Sequence, residues 1–571
     1  VTGAERLCAE LEAAGIDCVF GVPGSQNVDL YEALRRSRIR SVVATNELAA
    51  SFMAGAYYRA SGRVAPLVTI PGPGFTWALT GVAEAFHDSA ALLHLVGGPP
   101  EPFQRLRFQA LDQKAVAKPM VKGVRRIDRV AEIPQRVVEA LDLALLGEPG
   151  PVLLEWSPGV LGQPVPSALP ARPGRGHSPL PPTERVDELR ALLLEARRPL
   201  LFVGQGAVGA AHLLARLAER LPAPVLTTCS GRGILPEDHE LSLAFDFPRG
   251  DVGRLNALLA ASDLVVVLGA RLSSASTYDF ALELPRDRLV QVDASEEILG
   301  ATYPARLTIP GTVEDVLEGV LAGLASDGSP ASQWTADAVR KRRRDLLAAS
   351  DRAIPDPAVS GVDPPRMAAF FAALRRRLPR DGIVVADSGL HQLVARRHLD
   401  VLAPRGLLVP SDFQSMGFAL PAAIGAHLAA PERPVVALVG DGGLALSGME
   451  LLTAVQERVP LTVVVFNDGW LNLIRIAQLR TVGHTSGVRR TNPDFGALAD
   501  AVGARYALVE DNLDQMLDEA LASPGVTLVE LRVGDSGTMR TARARGLARR
   551  AAAGALGPGV SARLKRWLGR R

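Results

Sequence analysis

A chain of 571 residues is too long for one hydrophobic core, and at roughly 150 residues per domain it divides into three or four. With 47% hydrophobic and 22% charged residues, no apolar run of membrane-spanning length and no basic-then-apolar start, it reads as a globular cytoplasmic protein, not a secreted or transmembrane one. The net charge of +2 is uneven, because residues 540–571 hold nine Arg and one Lys without an acid; the remainder is acidic, and nucleic-acid binding is not predicted.

In chain order, the first segment predicts helix over 3–14, strand over 18–20, helix over 28–36, strand over 40–44, helix over 47–61, strand over 66–70 and helix over 76–86. A stretch rich in Pro and Gly from 157 to 183 sustains neither helix nor strand and reads as a linker. Strands are then predicted over 199–203, 225–228, 264–268 and 289–292. A second linker, about 325–365, contains a short charged helix candidate, and beyond it strands are predicted over 383–386, 406–410, 435–439, 461–466 and 526–531. Short β-branched runs separated by helical patterns predict parallel, doubly wound sheets. The fold class is therefore α/β, with three consecutive doubly wound parallel-sheet domains over 1–165, 184–325 and 366–536 and a basic tail over 537–571. Cys8, Cys18 and Cys229 are odd in number and form no CxxC pair, so they are expected as small buried apolar residues and not as a disulfide framework.

The most informative stretch is residues 434–472, PVVALVGDGGLALSGMELLTAVQERVPLTVVVFNDGWLN. A buried strand ends at Val439 and delivers Gly440-Asp441-Gly442-Gly443, a helix is predicted over 447–458, and a second strand ends at Phe466 before Asn467-Asp468-Gly469. In a βαβ unit both turns lie at the carboxyl edge of the sheet, where open α/β sheets bind ligands, so Asp441 and Asn467 become neighbours. Oxygens from Asp, Asn and a backbone carbonyl suit a hard cation such as magnesium, which shares its shell with phosphates. The glycines let the backbone approach a phosphate, and the next helix points its N-terminus at it. Either triplet alone reads as a tight turn; paired at this spacing they read as a diphosphate–metal site.

On these residues the chain resembles the thiamine-diphosphate-dependent enzymes of the acetolactate synthase and pyruvate decarboxylase type. Their cofactor motif is a Gly-Asp-Gly followed about two dozen residues later by an Asn, and here 24 residues separate Gly442 from Asn467. The resemblance implies that Asp441, the Asn467 side chain and the Gly469 carbonyl bind magnesium, and that Gly440, Gly442, Gly443 and Trp470 border the cofactor. Phe466 stands where the family often has a first Asn. A second match, SVVATNELAASFMAGAYYRASGR, places Glu47 at a helix start. Alone it is an acid favoured by the helix dipole. The resemblance, extended by Pro71-Gly72-Pro73-Gly74, implies that Glu47 is the catalytic acid that hydrogen-bonds the cofactor's pyrimidine N1′. In the third match, residues 411–426, it implies that Met416 lies under the cofactor and that backbone near Gln414 accepts from N4′. Gly389 and His391, in Asp387-Ser388-Gly389-Leu390-His391, resemble a diphosphate-contacting turn, and Gly24 and Pro71 join the cofactor set.

Phe108, Gln109 and Lys122 resemble the acetolactate synthase segment that forms the substrate pocket, and Ser25, Gln26 and Asn472 complete the substrate candidates. The turn Gly21-Val22-Pro23-Gly24-Ser25-Gln26 lacks the acid of pyruvate decarboxylases, whose paired histidines are also missing. The implied reaction is decarboxylation of a 2-oxo acid followed by ligation of the resulting enamine to an acceptor carbonyl. The alternatives are a lyase or decarboxylase of oxalyl- or 2-hydroxyacyl-coenzyme A, whose anionic substrate the basic tail would cover, and a catalytically inactive regulatory homologue. Joint retention of Glu47, Asp441 and Asn467 argues against the last. The family implies a homodimer or homotetramer with cofactors between subunits. Some relatives hold FAD in the central domain; Arg271 is the retained match, and FAD is not predicted.

Overall fold

The computed structural model describes residues 1–99, 103–166, 174, 176–243, 252–324, 331–350 and 364–534, so the basic tail lies outside the described residues. The first sheet contains β1 (Cys18–Gly21), β2 (Arg40–Val43), β3 (Leu67–Thr69), β4 (Leu92–Gly97), β5 (Gly123–Ile127) and β6 (Pro151–Trp156), in the order β2-β1-β3-β4-β6-β5. The second contains β7 (Pro199–Val203), β8 (Val225–Thr227), β9 (Leu264–Leu268), β10 (Leu289–Asp293) and β11 (Leu307–Pro310), in the order β11-β10-β9-β7-β8. The third contains β12 (Ile383–Ala386), β13 (Leu407–Leu408), β14 (Val435–Gly440), β15 (Leu461–Asn467), β16 (Arg505–Val509) and β17 (Val526–Arg532), in the order β13-β12-β14-β15-β17-β16. Every strand pair within these sheets is parallel. The first and third sheets share one strand order, which no sequence repeat announces; the middle sheet has its own.

Strands β4, β5, β6, β11 and β16 add to those predicted. In β4 and β6 every residue is buried, so neither shows the alternation that marks a half-exposed strand. The charged helix candidate of the second linker is the helix Ala336–Ser350. Cys8 and Cys18 are buried as expected, but Cys229 is only half-buried, in a short 3-10 turn after β8 that borders a cavity between domains. Among the described residues no helix is long and apolar enough to cross a membrane.

The first and third domains are joined through the helices Glu47–Ser61 and Ala419–Ala429, which are rich in small residues: Ala49, Ala50, Ala54, Ala422 and Ala423 belong to one buried core, and Gly425 is buried among them. At the crossing, a Cβ on Gly425 would stand 2.2 Å from the Met53 carbonyl oxygen, which belongs to helix backbone and cannot rotate aside. Gly425→Ala is therefore expected to destabilise the protein by about 1–3 kcal/mol, the usual cost of overpacking a tight core. A melting temperature equal to the parent's would show that the two helices do not approach this closely.

Candidate active site

The helix expected over 447–458 is corrected by the structure. It begins directly after β14 as Asp441–Ser447, breaks at Gly448 and resumes as Glu450–Gln456. Gly442 and Gly443 thus lie inside a first helical turn, where the dipole favours the acid at 441. Gly443 is required by a close approach, since a Cβ there would lie 2.6 Å from the Asp387 carboxylate.

β14 and β15 are parallel neighbours with Gly440 opposite Phe466, so Asp441 and Asn467 leave the sheet side by side. One Asp441 oxygen accepts the Gly442 N–H at 2.8 Å, and the other accepts the Gly469 N–H at 2.8 Å and the Asn492 amide at 2.6 Å. The same Asn492 nitrogen donates to the Asn467 side-chain oxygen at 3.0 Å. Both predicted ligand oxygens therefore face one point, taken here by the partial positive charge of an amide, and this donor set fits a hard cation. Glu530 orients Asn467 by accepting from its amide at 2.9 Å, and Glu530 is itself held by the Tyr506 hydroxyl at 2.6 Å and Arg532 at 2.8 Å. The Gly469 carbonyl accepts the Arg490 N–H at 2.9 Å.

Next to this pair, burial first and then the charge of Asp441 push the Asp468 carboxyl up to about 6. Asp468 accepts the Trp470 N–H at 2.9 Å and the Asn472 amide at 2.8 Å, and the Arg475 guanidinium lies 4.7 Å from the Trp470 ring centre.

A cavity of about 140 Å³ brings together Gly389, His391, Met416, residues 440–443, Trp470 and Asn472. His391 is buried, stacks on Phe466 with ring centres 5.5 Å apart, and is pushed down to about 4 by burial, so its imidazole is neutral. Its Nε2 is buried and has no hydrogen-bond partner among the described residues, so one polar ring atom is left for a ligand. Phe466 also packs against Phe370 and Phe371, so the aromatic ring at this position belongs to the core of the third domain. Met416 packs against the start of the helix Asp441–Ser447: a Cβ on Gly442 would stand 3.3 Å from its Cε. Gln414 sits in the left-handed region at φ 63°, uncommon for a residue with a side chain and typical of loops shaped by function. Asp387, pushed up to about 7 by burial, fastens that loop by accepting the Gly417 N–H at 3.0 Å. From the first domain, Glu84 accepts the Ser415 N–H at 2.9 Å, and burial and the nearby Asp88 raise its carboxyl.

Glu47 opens its helix next to Asn46, whose side chain caps the turn by accepting the Ala49 N–H at 2.9 Å. Its half-buried carboxylate has no hydrogen bond or ion pair among the described residues, and a Cβ on Gly74 would come within 2.6 Å of it. Glu47 does not line the cavity at Asp441. Around the carboxyl edge of the first sheet, Ser25 donates to Gln26 at 2.9 Å, Gln26 bonds Gln109, and Gln109 packs over Gly72. Gly24 meets Ile70, and Pro71 lies beside Gly97. Phe108 is 81% exposed. Lys122 stands apart from this group, donating to the Leu146 carbonyl at 2.7 Å. Asn492, absent from the sequence-derived set, lies in Thr491-Asn492-Pro493, a tripeptide with no motif to flag it.

A larger cavity of about 310 Å³ lies between the domains. Arg271, on its wall, donates to Glu148 at 2.9 Å, to Asp412 at 2.8 Å and to the His87 carbonyl, and so ties all three domains together.

Comparison with known proteins gives the same division into three. Residues 1–116 match the family described as thiamine pyrophosphate enzyme, N-terminal TPP binding domain; residues 186–320 match its central domain, and residues 387–531 its C-terminal TPP binding domain. The chain is 29% identical to the acetolactate synthase isozyme 1 large subunit of Escherichia coli over 93% of this chain and 94% of that protein. It is 32% identical to a probable 2-ketoarginine decarboxylase of Pseudomonas aeruginosa over the same shares, 93% and 94%. A probable acetolactate synthase large subunit of Methanocaldococcus jannaschii is 28% identical over 93% of this chain and 91% of its own length. With three matching domains in the family's order and similarity along nearly the whole chain, the protein belongs to the thiamine pyrophosphate enzymes and is acetolactate synthase-like.

Proposed function

We propose that the chain is a thiamine-diphosphate- and magnesium-dependent 2-oxo acid decarboxylase and carboligase that works in the cytoplasm as a homodimer or dimer of dimers. The observation that carries this reading is the convergence of the Asp441 and Asn467 oxygens on one point beside a glycine turn and a neutral His391 whose Nε2 has no partner among the described residues. When bound, thiamine diphosphate supplies a carbanion and an electron sink for the electrons left by carbon dioxide. The protein's part is to anchor, orient and move a proton. Asp441, Asn467 and the Gly469 carbonyl would hold the cation, His391 would meet the diphosphate, and Met416 would pack against the cofactor. Glu47, a carboxylate with no protein partner among the described residues, would hold a proton at the pyrimidine nitrogen.

Two features support an assembly of two chains. The cavity at Asp441 is built without Glu47, and Trp77, Leu446 and Leu452 on the helices after β3 and β14, with Met449 in the break between the latter two, leave apolar surface exposed. A second copy of the chain would cover this surface and bring its own Glu47 to the cavity.

The test is incubation of the purified protein with cofactor, magnesium and a panel of 2-oxo acids with and without acceptor carbonyls, following carbon dioxide release and ligated products by mass spectrometry. Products of ligation are expected. A second reading, decarboxylation without ligation, is favoured by the relative named as a 2-ketoarginine decarboxylase, so the panel includes oxo acids with a guanidinium side chain. Cofactor binding without carbon dioxide release from any member would overturn both.

A further inference from the structure

Glu450 opens the helix Glu450–Gln456 of the third domain, one short helix downstream of Asp441, and it is fully buried. A buried carboxylate is costly unless donors surround it. Here the donors come chiefly from the first domain. One oxygen accepts the Thr45 backbone N–H at 3.2 Å, the Thr45 hydroxyl and the Asn46 amide at 3.3 Å; the other accepts the Thr453 hydroxyl at 2.7 Å. Thr45 and Asn46 are the two residues before Glu47, and Asn46 also caps the helix that Glu47 begins. The turn that aims Glu47 is thus fastened by one side chain from another domain. By contrast, the Glu47 carboxylate itself has no partner among the described residues, so its direction is set by the backbone that carries it.

We infer that Glu450 is a positioning residue for the reaction: by gripping Thr45 and Asn46 it fixes the orientation of Glu47 toward the cofactor's pyrimidine. The inference rests on the reading of Glu47 given above. In the proposed dimer the cofactor served by Glu47 is anchored by the other copy of the chain. Glu450 then also links the helices that follow one site's metal turn to the activating acid of the other site.

In Glu450→Gln, an amide replaces one acceptor oxygen with a donor that faces the Thr45 N–H. The readout is the rate of hydrogen–deuterium exchange at the C2 position of bound thiamine diphosphate, followed by NMR on the magnesium-loaded protein, with cofactor affinity measured by calorimetry. A merely structural tie between domains would lower stability without changing C2 exchange in the folded, loaded protein. Expected for Glu450→Gln is exchange slowed by about tenfold or more, with kcat falling in parallel, KM little changed and cofactor affinity retained. Thr45→Val, which removes one donor and leaves Glu450 in place, should slow exchange in the same sense, and Thr45→Ser should restore it. The two lesions combined should cost less than the sum of each alone, because they break one contact. Parent-like exchange in Glu450→Gln or in Thr45→Val, beside slow exchange in a Glu47→Gln control, would overturn the inference. Parent-like exchange in Glu47→Gln would instead overturn the reading of Glu47 beneath it.

Discussion

Replacing Glu47 by Gln is expected to lower turnover by about 10²–10⁴-fold, the range that a positioned acid–base group contributes, while the protein still folds and binds its cofactor. The substitution keeps size and shape. It removes the carboxylate that would share a proton with the pyrimidine nitrogen and touches none of the groups around Asp441. Glu47 has no partner among the described residues, so its loss strands no buried donor, and any change in melting temperature should be small. Steady-state kinetics and a calorimetric titration with thiamine diphosphate check both halves. Near-parent turnover would remove Glu47 from the catalytic machinery.

Asp441→Ala and Asn467→Ala are expected to weaken thiamine diphosphate binding by more than about tenfold, and the loss should be largest at limiting magnesium. Each variant deletes one of the two oxygens that meet at the Asn492 amide, so the cation loses a ligand on the protein side. Asp441→Ala should be the more severe, because it also removes a charge and the acceptor of the Gly442 and Gly469 N–H groups. Affinity unchanged in both variants would place the metal elsewhere. Mixing Glu47→Gln with Asp441→Ala protein then tests where the sites lie. If each site draws on two chains, a mixed dimer has one site with both lesions and one with neither, and turnover returns. If no turnover returns after the chains have exchanged, each site belongs to a single chain.

Much of this was legible in the sequence because the informative residues are local. The βαβ unit delivers Asp441 and Asn467 from adjacent parallel strands, so two turns far apart in the chain are joined by topology alone. Residues whose role depends on distant partners were not legible. Asn492 reaches Asp441 and Asn467 from a loop with no spacing rule, and Glu450 looks like an ordinary acid in a helix until Thr45 is placed against it. The start of the helix at Asp441 was misplaced because Gly442 and Gly443 read as a turn, whereas they serve close packing on Asp387 and Met416. Lys122 is a contrast: just before β5, its ammonium donates to the Leu146 carbonyl, so within one chain it does not join the group of Gln26 and Gln109.

The shared strand order of the first and third sheets puts β3 and β14 in equivalent places, each followed at its carboxyl end by a helix, Pro73–His87 in one and Asp441–Ser447 in the other. These are two uses of one architecture with unequal endowments. Directly after β14 stands an acid; after β3 come Ile70, Pro71, Gly72 and Pro73, none of them charged. The consequence is one of stoichiometry: of two equivalent berths per chain, only the one after β14 carries the proposed cation ligands, so a loading of one divalent ion per chain is expected.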